Sequence, residues 1–136
     1  MPLLTLAQDP AIMWQFDMSD MAFGQAAAAD VDNDGLLEVT FSTYRNDGVL
    51  YMLNGEDGST LWEADAGGCA DAAPLIYDVD QDGDLEVVLA GSCNPTTYCF
   101  DADSGFIQWQ TPMRGSDSPI VAGDLDNDGK PEILHG

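Results

Sequence analysis

Three nine-residue segments place acidic side chains at the same spacing, and this spacing is suited to binding a metal ion. The segments are D-V-D-N-D-G-L-L-E from Asp30, D-V-D-Q-D-G-D-L-E from Asp78 and D-L-D-N-D-G-K-P-E from Asp124. We call them loops 1, 2 and 3 and number the positions in each from 1 to 9. Carboxylates crowded in this way repel one another unless a cation lies between them. The segments therefore indicate three cation sites.

The residue types at the nine positions favour calcium. Positions 1, 3 and 5 are aspartate in every loop, and position 6 is glycine, which allows the positive φ of a sharp turn. Position 9 is glutamate, whose carboxylate can bind through both oxygens. Position 7 varies among leucine, aspartate and lysine, so its backbone carbonyl is the expected ligand. Calcium prefers such an all-oxygen site with many ligands, whereas magnesium and zinc do not.

The predicted ligands hold one Ca²⁺ in each loop, or about three per chain. They are Asp30, Asp32, Asp34, Leu36, Glu38, Asp78, Asp80, Asp82, Asp84, Glu86, Asp124, Asp126, Asp128, Lys130 and Glu132. A solvated turn is the alternative interpretation of one such segment, but three copies in register argue against it. The segments are not EF-hands, because position 12 is not glutamate and the flanking segments have the pattern of strands.

A second pattern repeats in step with the loops. Trp14, Trp62 and Trp109 precede the three loops by 16, 16 and 15 residues. Two markers in one register establish a repeat of about 47 residues, which is typical of propellers and solenoid arrays. The tryptophans are predicted to pack between repeats. A platform for a sugar or a cofactor is the alternative.

Within one repeat, short apolar segments are separated by turn signals. Residues 72–77 and 85–90 flank loop 2, and residues 97–101 and 106–110 lie on either side of a D-S-G turn. Four short strands in this order predict a four-stranded antiparallel blade of a β-propeller. Because no segment shows a helical period, the predicted fold is all-β.

The predicted boundaries make residues 1–136 a single repeat domain. Residues 1–29 contain a half-blade and the first strand of repeat 1, followed by repeat 1 (30–77), repeat 2 (78–123) and half of repeat 3 (124–136). The two termini are thus expected to be complementary halves of a blade. Either the N-terminal strands of one copy complete the last blade of the next, giving a ring or a filament, or the chain is a piece of a larger propeller.

These loops and hairpins resemble a known family. The D-x-D-x-D-G-x-x-E loop between two strands is similar to the FG-GAP/VCBS repeats of integrin-type β-propellers. The L-Y-x-L-x-x-x-x-G-x-x-x-W hairpin of residues 50–62 resembles the PQQ-like blade motif. The resemblance spans nearly the whole chain. It implies that calcium ties together the first two strands of a blade, with ligands at positions 1, 3, 5, 7 and 9.

The three cysteines allow one intramolecular disulfide. In a hairpin centred on loop 2, Cys69 comes beside Cys93, and this is the predicted pair, with Cys99 buried and free. A Cys93–Cys99 disulfide and three unpaired buried thiols are the alternatives. A disulfide together with a calcium requirement indicates an extracellular or cell-surface location.

Composition and motifs limit the classes of function that the protein could have. A net charge of −22, from 25 acidic and 3 basic residues, argues against nucleic-acid and membrane partners. No apolar segment is long enough for a membrane helix, and no motif such as G-x-S-x-G indicates an enzyme. The prediction is an extracellular, calcium-stabilised structural or adhesive protein that self-associates head to tail. The alternative is a piece of a larger FG-GAP/VCBS propeller that binds a glycan or a protein.

Overall fold

The computed structural model describes residues 11–18, 20–45 and 48–136. Residues 1–10, the first part of the predicted N-terminal half-blade, lie outside these described residues. The strands are β1 (Ala27–Ala29), β2 (Glu38–Ser42), β3 (Val49–Asn54), β4 (Thr60–Asp65), β5 (Leu75–Tyr77), β6 (Glu86–Ala90), β7 (Thr96–Asp101), β8 (Ile107–Pro112), β9 (Val121–Gly123) and β10 (Glu132–Leu134). Within the described ranges, no helix is long and apolar enough to span a membrane.

In the described part of the chain, the strands form two four-stranded antiparallel sheets and one hairpin. We call β1–β4 blade A, β5–β8 blade B and β9–β10 hairpin C. Strands that are consecutive in sequence are neighbours in each sheet, so each blade is a meander. This arrangement confirms the predicted all-β fold of propeller-type, four-stranded antiparallel blades.

Each acidic loop connects the first two strands of its unit. The position-9 glutamate pairs with the last residue of the preceding strand: Glu38 with Ala29, Glu86 with Tyr77, and Glu132 with Gly123. Both ends of the loop are therefore held by the sheet. The glutamate is at once the last residue of the acidic motif and the first residue of the second strand.

Two apolar layers hold the repeats together. The layer between blades A and B contains Leu50, Met52, Val87, Leu89 and Phe100. The layer between blade B and hairpin C contains Val88, Ala90, Cys99 and Ile120. Because side chains alternate across a strand, successive residues of β6 enter opposite layers, and the whole of this strand is buried.

The repeated tryptophans contribute to packing between units. The Nε1–H of Trp14 donates to the carbonyl oxygen of Gly55 at 2.8 Å, and that of Trp62 donates to Ala102 at 2.9 Å. Trp62 packs against the first apolar layer and Trp109 against the second. The hydrogen bonds of Trp14 and Trp62 thus join residues that are 41 and 40 positions apart in the sequence.

Gly105 permits the close approach of Trp62. Its φ is +73°, and a Cβ atom at this position would lie 2.6 Å from Cδ2 of Trp62. We expect Gly105→Ala to lower the free energy of unfolding by roughly 2–4 kcal/mol, because backbone strain and a steric clash add. Chemical denaturation measures this. Gly123→Ala is the control, because no atom lies near its Cβ position; equal losses for the two variants would contradict the prediction.

Cys69 and Cys93 form a disulfide, and their Cα atoms are 5.0 Å apart. This is the first of the pairings considered from the sequence. The disulfide joins the segment before β5 to the turn after β6, at the end of this hairpin opposite to loop 2. Cys99 is free and buried, and burial, with the negative charges of Glu86 and Asp80, raises the pKa of its thiol to about 12. The Cys99 thiol is therefore protonated at neutral pH.

Candidate metal centre

Each loop brings carboxylate oxygens from positions 1, 3 and 9 together. In each loop, one oxygen from each of these three side chains lies within 4.8 Å of the other two. The groups are Asp30, Asp32 and Glu38; Asp78, Asp80 and Glu86; and Asp124, Asp126 and Glu132. The repeat in the sequence is thus also a repeat in three dimensions.

The backbone of the loop explains why these side chains converge. The position-6 glycines have φ of +92°, +101° and +91° in loops 1, 2 and 3. Position 4 also has positive φ, at 62° in Asn33, 66° in Gln81 and 63° in Asn127. Two left-handed residues on either side of position 5 turn the chain sharply. The sequence indicated the glycine, whereas the left-handed position 4 was not predicted, although asparagine tolerates this conformation better than most residues.

Backbone N–H groups orient the carboxylates in the same way in every loop. The N–H of position 2 donates to Oε2 of the position-9 glutamate at 2.7–2.8 Å. The N–H of position 6 donates to Oδ2 of the position-1 aspartate at 3.0–3.2 Å. The N–H of position 5 donates to Oδ1 of the position-3 aspartate at 3.0–3.2 Å. The N–H of position 7 donates to Oδ1 of the position-5 aspartate at 2.8–3.0 Å. Each of these carboxylates therefore has at least one oxygen held by the backbone.

Two of the remaining oxygens are buried and have no hydrogen-bond donor. They are Oδ1 of Asp30 and Oδ1 of Asp78, both at position 1. An unsatisfied buried polar group costs about 1–3 kcal/mol, and a charged one costs more. A cation beside these oxygens would offset that cost, so the donor set fits a hard divalent ion. Loop 3 differs, because Oδ1 of Asp124 accepts the N–H of Asp128 at 3.1 Å.

The position-9 glutamate is also shielded from water in two of the three loops. Glu38 and Glu86 are buried, whereas Glu132 is half-buried. Burial raises the pKa of Glu86, the N–H of Val79 opposes this, and the negative charge of Asp80 adds to the rise. The surroundings of Glu86 therefore disfavour the charged form of its carboxylate until a positive charge is supplied.

The other predicted ligands do not join the three-oxygen groups. The position-5 side chains, Asp34, Asp82 and Asp128, lie outside these groups. One oxygen of each accepts the N–H of position 7, which places them in the turn itself. The carbonyl ligands expected at Leu36, Asp84 and Lys130 stay predictions.

One contact between loops was missed from the sequence. Nε2 of Gln81, at position 4 of loop 2, donates to the carbonyl oxygen of Gly129, at position 6 of loop 3, at 2.7 Å. The two residues are 48 positions apart, and no local pattern indicates the bond. It joins loops 2 and 3 directly.

The fold and the loops together define a propeller-type repeat protein with acidic loops that could hold metal ions. Residues 78–135 match the sequence profile of the FG-GAP-like repeat. The resemblance found from the motifs is confirmed by this match, which covers loops 2 and 3 and the strands between them. Comparison with curated proteins finds no similar sequence.

The solved structures that are similar to the chain include the following three. The biofilm matrix protein Bap1 of V. cholerae is 28% identical with a TM-score of 0.73, over 92% of this chain and 25% of the Bap1 chain. BamB from Moraxella catarrhalis is 21% identical with a TM-score of 0.56, over 92% of this chain and 37% of the other. The exotype rhamnogalacturonan lyase YesX is 20% identical with a TM-score of 0.54, over 82% of this chain and 27% of the other. The last two similarities concern the fold alone.

Proposed function

We propose that this protein is an extracellular structural or adhesive repeat protein whose blades are stabilised by calcium. The observation that carries the proposal is the same three-carboxylate group in each loop, with an unpaired buried oxygen in two of them. The disulfide supports an oxidising environment. The similarity to a biofilm matrix protein supports a role outside the cell.

Calcium, when bound, supplies the positive charge that the loops lack. In loop 2 the residues that would hold it are Asp78, Asp80 and Glu86, with Asp82 and the carbonyl oxygen of Asp84 as further proposed ligands. Because Glu86 is the first residue of β6 and Asp78 directly follows β5, holding their carboxylates together fixes the ends of both strands. Loops 1 and 3 would act in the same way on their own strands.

The proposed role is structural rather than catalytic. In loop 2, the carboxylates of Glu86 and Asp78 already accept backbone N–H groups and would hold the proposed ion, which leaves them poorly suited to act as a general acid and a general base. The net charge of −22 supports a function that does not involve nucleic acid or insertion into a membrane. We therefore expect the partners to be other copies of the chain, or a glycan or protein ligand.

Self-association head to tail is part of this proposal. It is supported by apolar side chains that remain exposed on blade A and on hairpin C. The alternative is that the chain is one part of a larger propeller that binds a glycan or a protein, and the coverage of 25% of the Bap1 chain favours it. The oligomeric state of the chain in calcium distinguishes these two possibilities.

Asp78→Asn tests whether loop 2 is a calcium site. The change keeps the shape of the side chain but removes the charge of a carboxylate that has an unpaired buried oxygen. Isothermal titration calorimetry should show the stoichiometry falling from about three to about two Ca²⁺ per chain.

The matched control is Asp117→Asn, which makes the same charge change at an exposed residue outside the loops. This variant should bind as many ions as the unmodified chain. If Asp78→Asn also keeps the full stoichiometry, loop 2 does not bind calcium through Asp78.

A further inference from the structure

Positions 2 and 8 of successive loops share a cleft. Val31, at position 2 of loop 1, lines one cleft together with Leu85, at position 8 of loop 2. Val79, at position 2 of loop 2, lines the next cleft together with Pro131, at position 8 of loop 3. Val31 is only 7% exposed. Each junction between successive loops thus places an apolar position-2 side chain close to an apolar position-8 side chain.

Among the residues that the structure describes, two leucines at these positions have no such neighbouring loop. Leu125, at position 2 of loop 3, is 61% exposed, and Leu37, at position 8 of loop 1, is 58% exposed. Leu125 adjoins hairpin C, and Leu37 adjoins blade A. Val121 and Leu134 of hairpin C, which pair with each other across β9 and β10, are also exposed. Loop 3, the last of the three loops, therefore exposes a leucine at position 2, and loop 1, the first, exposes a leucine at position 8.

An apolar groove lies between residues 14–26 and β2 of blade A, the strand that directly follows Leu37. Its lining includes Phe16, Val39 and Phe41, and its volume is about 480 Å³. In blade B, Val87 and Leu89 occupy the positions that correspond to Val39 and Phe41, counted from the position-9 glutamate. Both are fully buried in the layer against blade A. The groove is thus the counterpart of a surface that a neighbouring blade covers elsewhere in the chain.

We propose that hairpin C of one copy docks in the blade A groove of a second copy, with Leu125 of the first against Leu37 of the second. The inference rests on the proposed function, because it names the partner in the self-association. The contact repeats the junctions that the chain makes between blades A and B and between blade B and hairpin C. Since the two surfaces differ, the contact is head to tail and leaves one free surface at each end of a dimer.

Calcium controls this docking through the charge of the loops. Leu125 lies between Asp124 and Asp126, and its N–H donates to Oε2 of Glu132 at 2.7 Å. The loop that presents the leucine is therefore one of the proposed calcium sites. Docking brings loop 3 of one copy beside loop 1 of the next, and two such acidic loops repel each other without cations.

Sedimentation velocity of the full chain, in millimolar calcium and in chelator, tests the inference. The unmodified chain should associate in calcium and be monomeric in chelator. Leu125→Gln and Leu37→Gln should each weaken association about tenfold, because each places a polar amide in an apolar contact while leaving the charge of the loop unchanged. An equimolar mixture of the two variants should form dimers but nothing larger, because each variant keeps one intact surface.

Phe106→Gln is the control, because Phe106 is 78% exposed but lies in the turn between β7 and β8, outside both docking surfaces. It should associate as the unmodified chain does. Association that survives both leucine substitutions would overturn the inference.

Thermal melting of the same samples separates docking from calcium binding. If calcium raises the melting temperature but the unmodified chain stays monomeric, docking is overturned and the proposed calcium function stands. If calcium leaves the melting temperature unchanged while the leucine variants block association, the interface stands and the calcium role fails. Because both leucines are exposed, neither substitution should alter the melting temperature of the monomer.

Discussion

Removal of calcium is expected to lower the melting temperature of this protein by roughly 10–25 °C. Extracellular calcium modules bind with Kd of about 10⁻⁴–10⁻³ M. In about 10 mM calcium each loop would then contribute about 1.4–2.7 kcal/mol, and three loops about 4–8 kcal/mol. The physical reason is that carboxylates held close together, two of them with unpaired buried oxygens, repel one another when no ion is present.

Differential scanning calorimetry with and without chelator measures this shift. Magnesium at equal ionic strength is the control, because it screens exposed charges in the same way but is a poor fit to a site with many ligands. Magnesium should restore only a small part of the lost stability. A melting temperature that is the same in calcium and in chelator would contradict the proposal that the loops bind calcium.

Loss of the Cys69–Cys93 disulfide is expected to lower the free energy of unfolding by about 3 kcal/mol and the melting temperature by about 10 °C. The bond closes a segment with a sequence separation of 24 residues, so breaking it increases the entropy of the unfolded chain. Denaturation of the unmodified chain with and without reductant measures the effect. A thiol count in denaturant confirms that the bond is reduced.

The Cys69→Ser, Cys93→Ser double variant is the control for the reductant itself. It should match the reduced unmodified chain and should show no further change when reductant is added. Equal stability of the oxidised and fully reduced chain would mean that the disulfide does not constrain the fold.

In blade B, one hairpin, β5–β6, carries both a proposed calcium loop and the disulfide. Loop 2 joins β5 to β6 at one end, and the disulfide joins their flanking segments at the other end, where the N–H of Ser92 also donates to the carbonyl oxygen of Cys69. Blade A makes the corresponding backbone bond from Tyr44 to Met21, but without a disulfide. We therefore expect the β5–β6 hairpin to be the part of the chain that opens least readily.

Much of the fold was predictable from the sequence because its signals are local. The aspartates at positions 1, 3 and 5, the glycine at position 6 and the flanking apolar segments all act within one hairpin. The predicted strands around loop 2 match β5 to β8 to within a few residues. The disulfide follows from the same register, since Cys69 and Cys93 flank one pair of neighbouring strands.

The composition of the candidate site was predictable, whereas its arrangement depended on the tertiary structure. Spacing alone does not show that positions 1, 3 and 9 converge while position 5 lies outside the group. The unpaired oxygens of Asp30 and Asp78 are buried and have no hydrogen-bond donor. Burial is a property of the folded chain, so the spacing of the motif does not show it.

The sequence by itself determined the period, the all-β class and the acidic loops, because these depend on residue types within one repeat. Only the tertiary structure decided how the repeats meet. The bond from Trp62 to Ala102, the bond from Gln81 to Gly129 and the clefts between successive loops each join residues 40 or more positions apart. The physical reason is that these contacts form when the blades stack, so they depend on the relative position of two sheets. For the same reason, Leu37 and Leu125 remain exposed, although the side chains at the same places in the other loops are buried or half-buried.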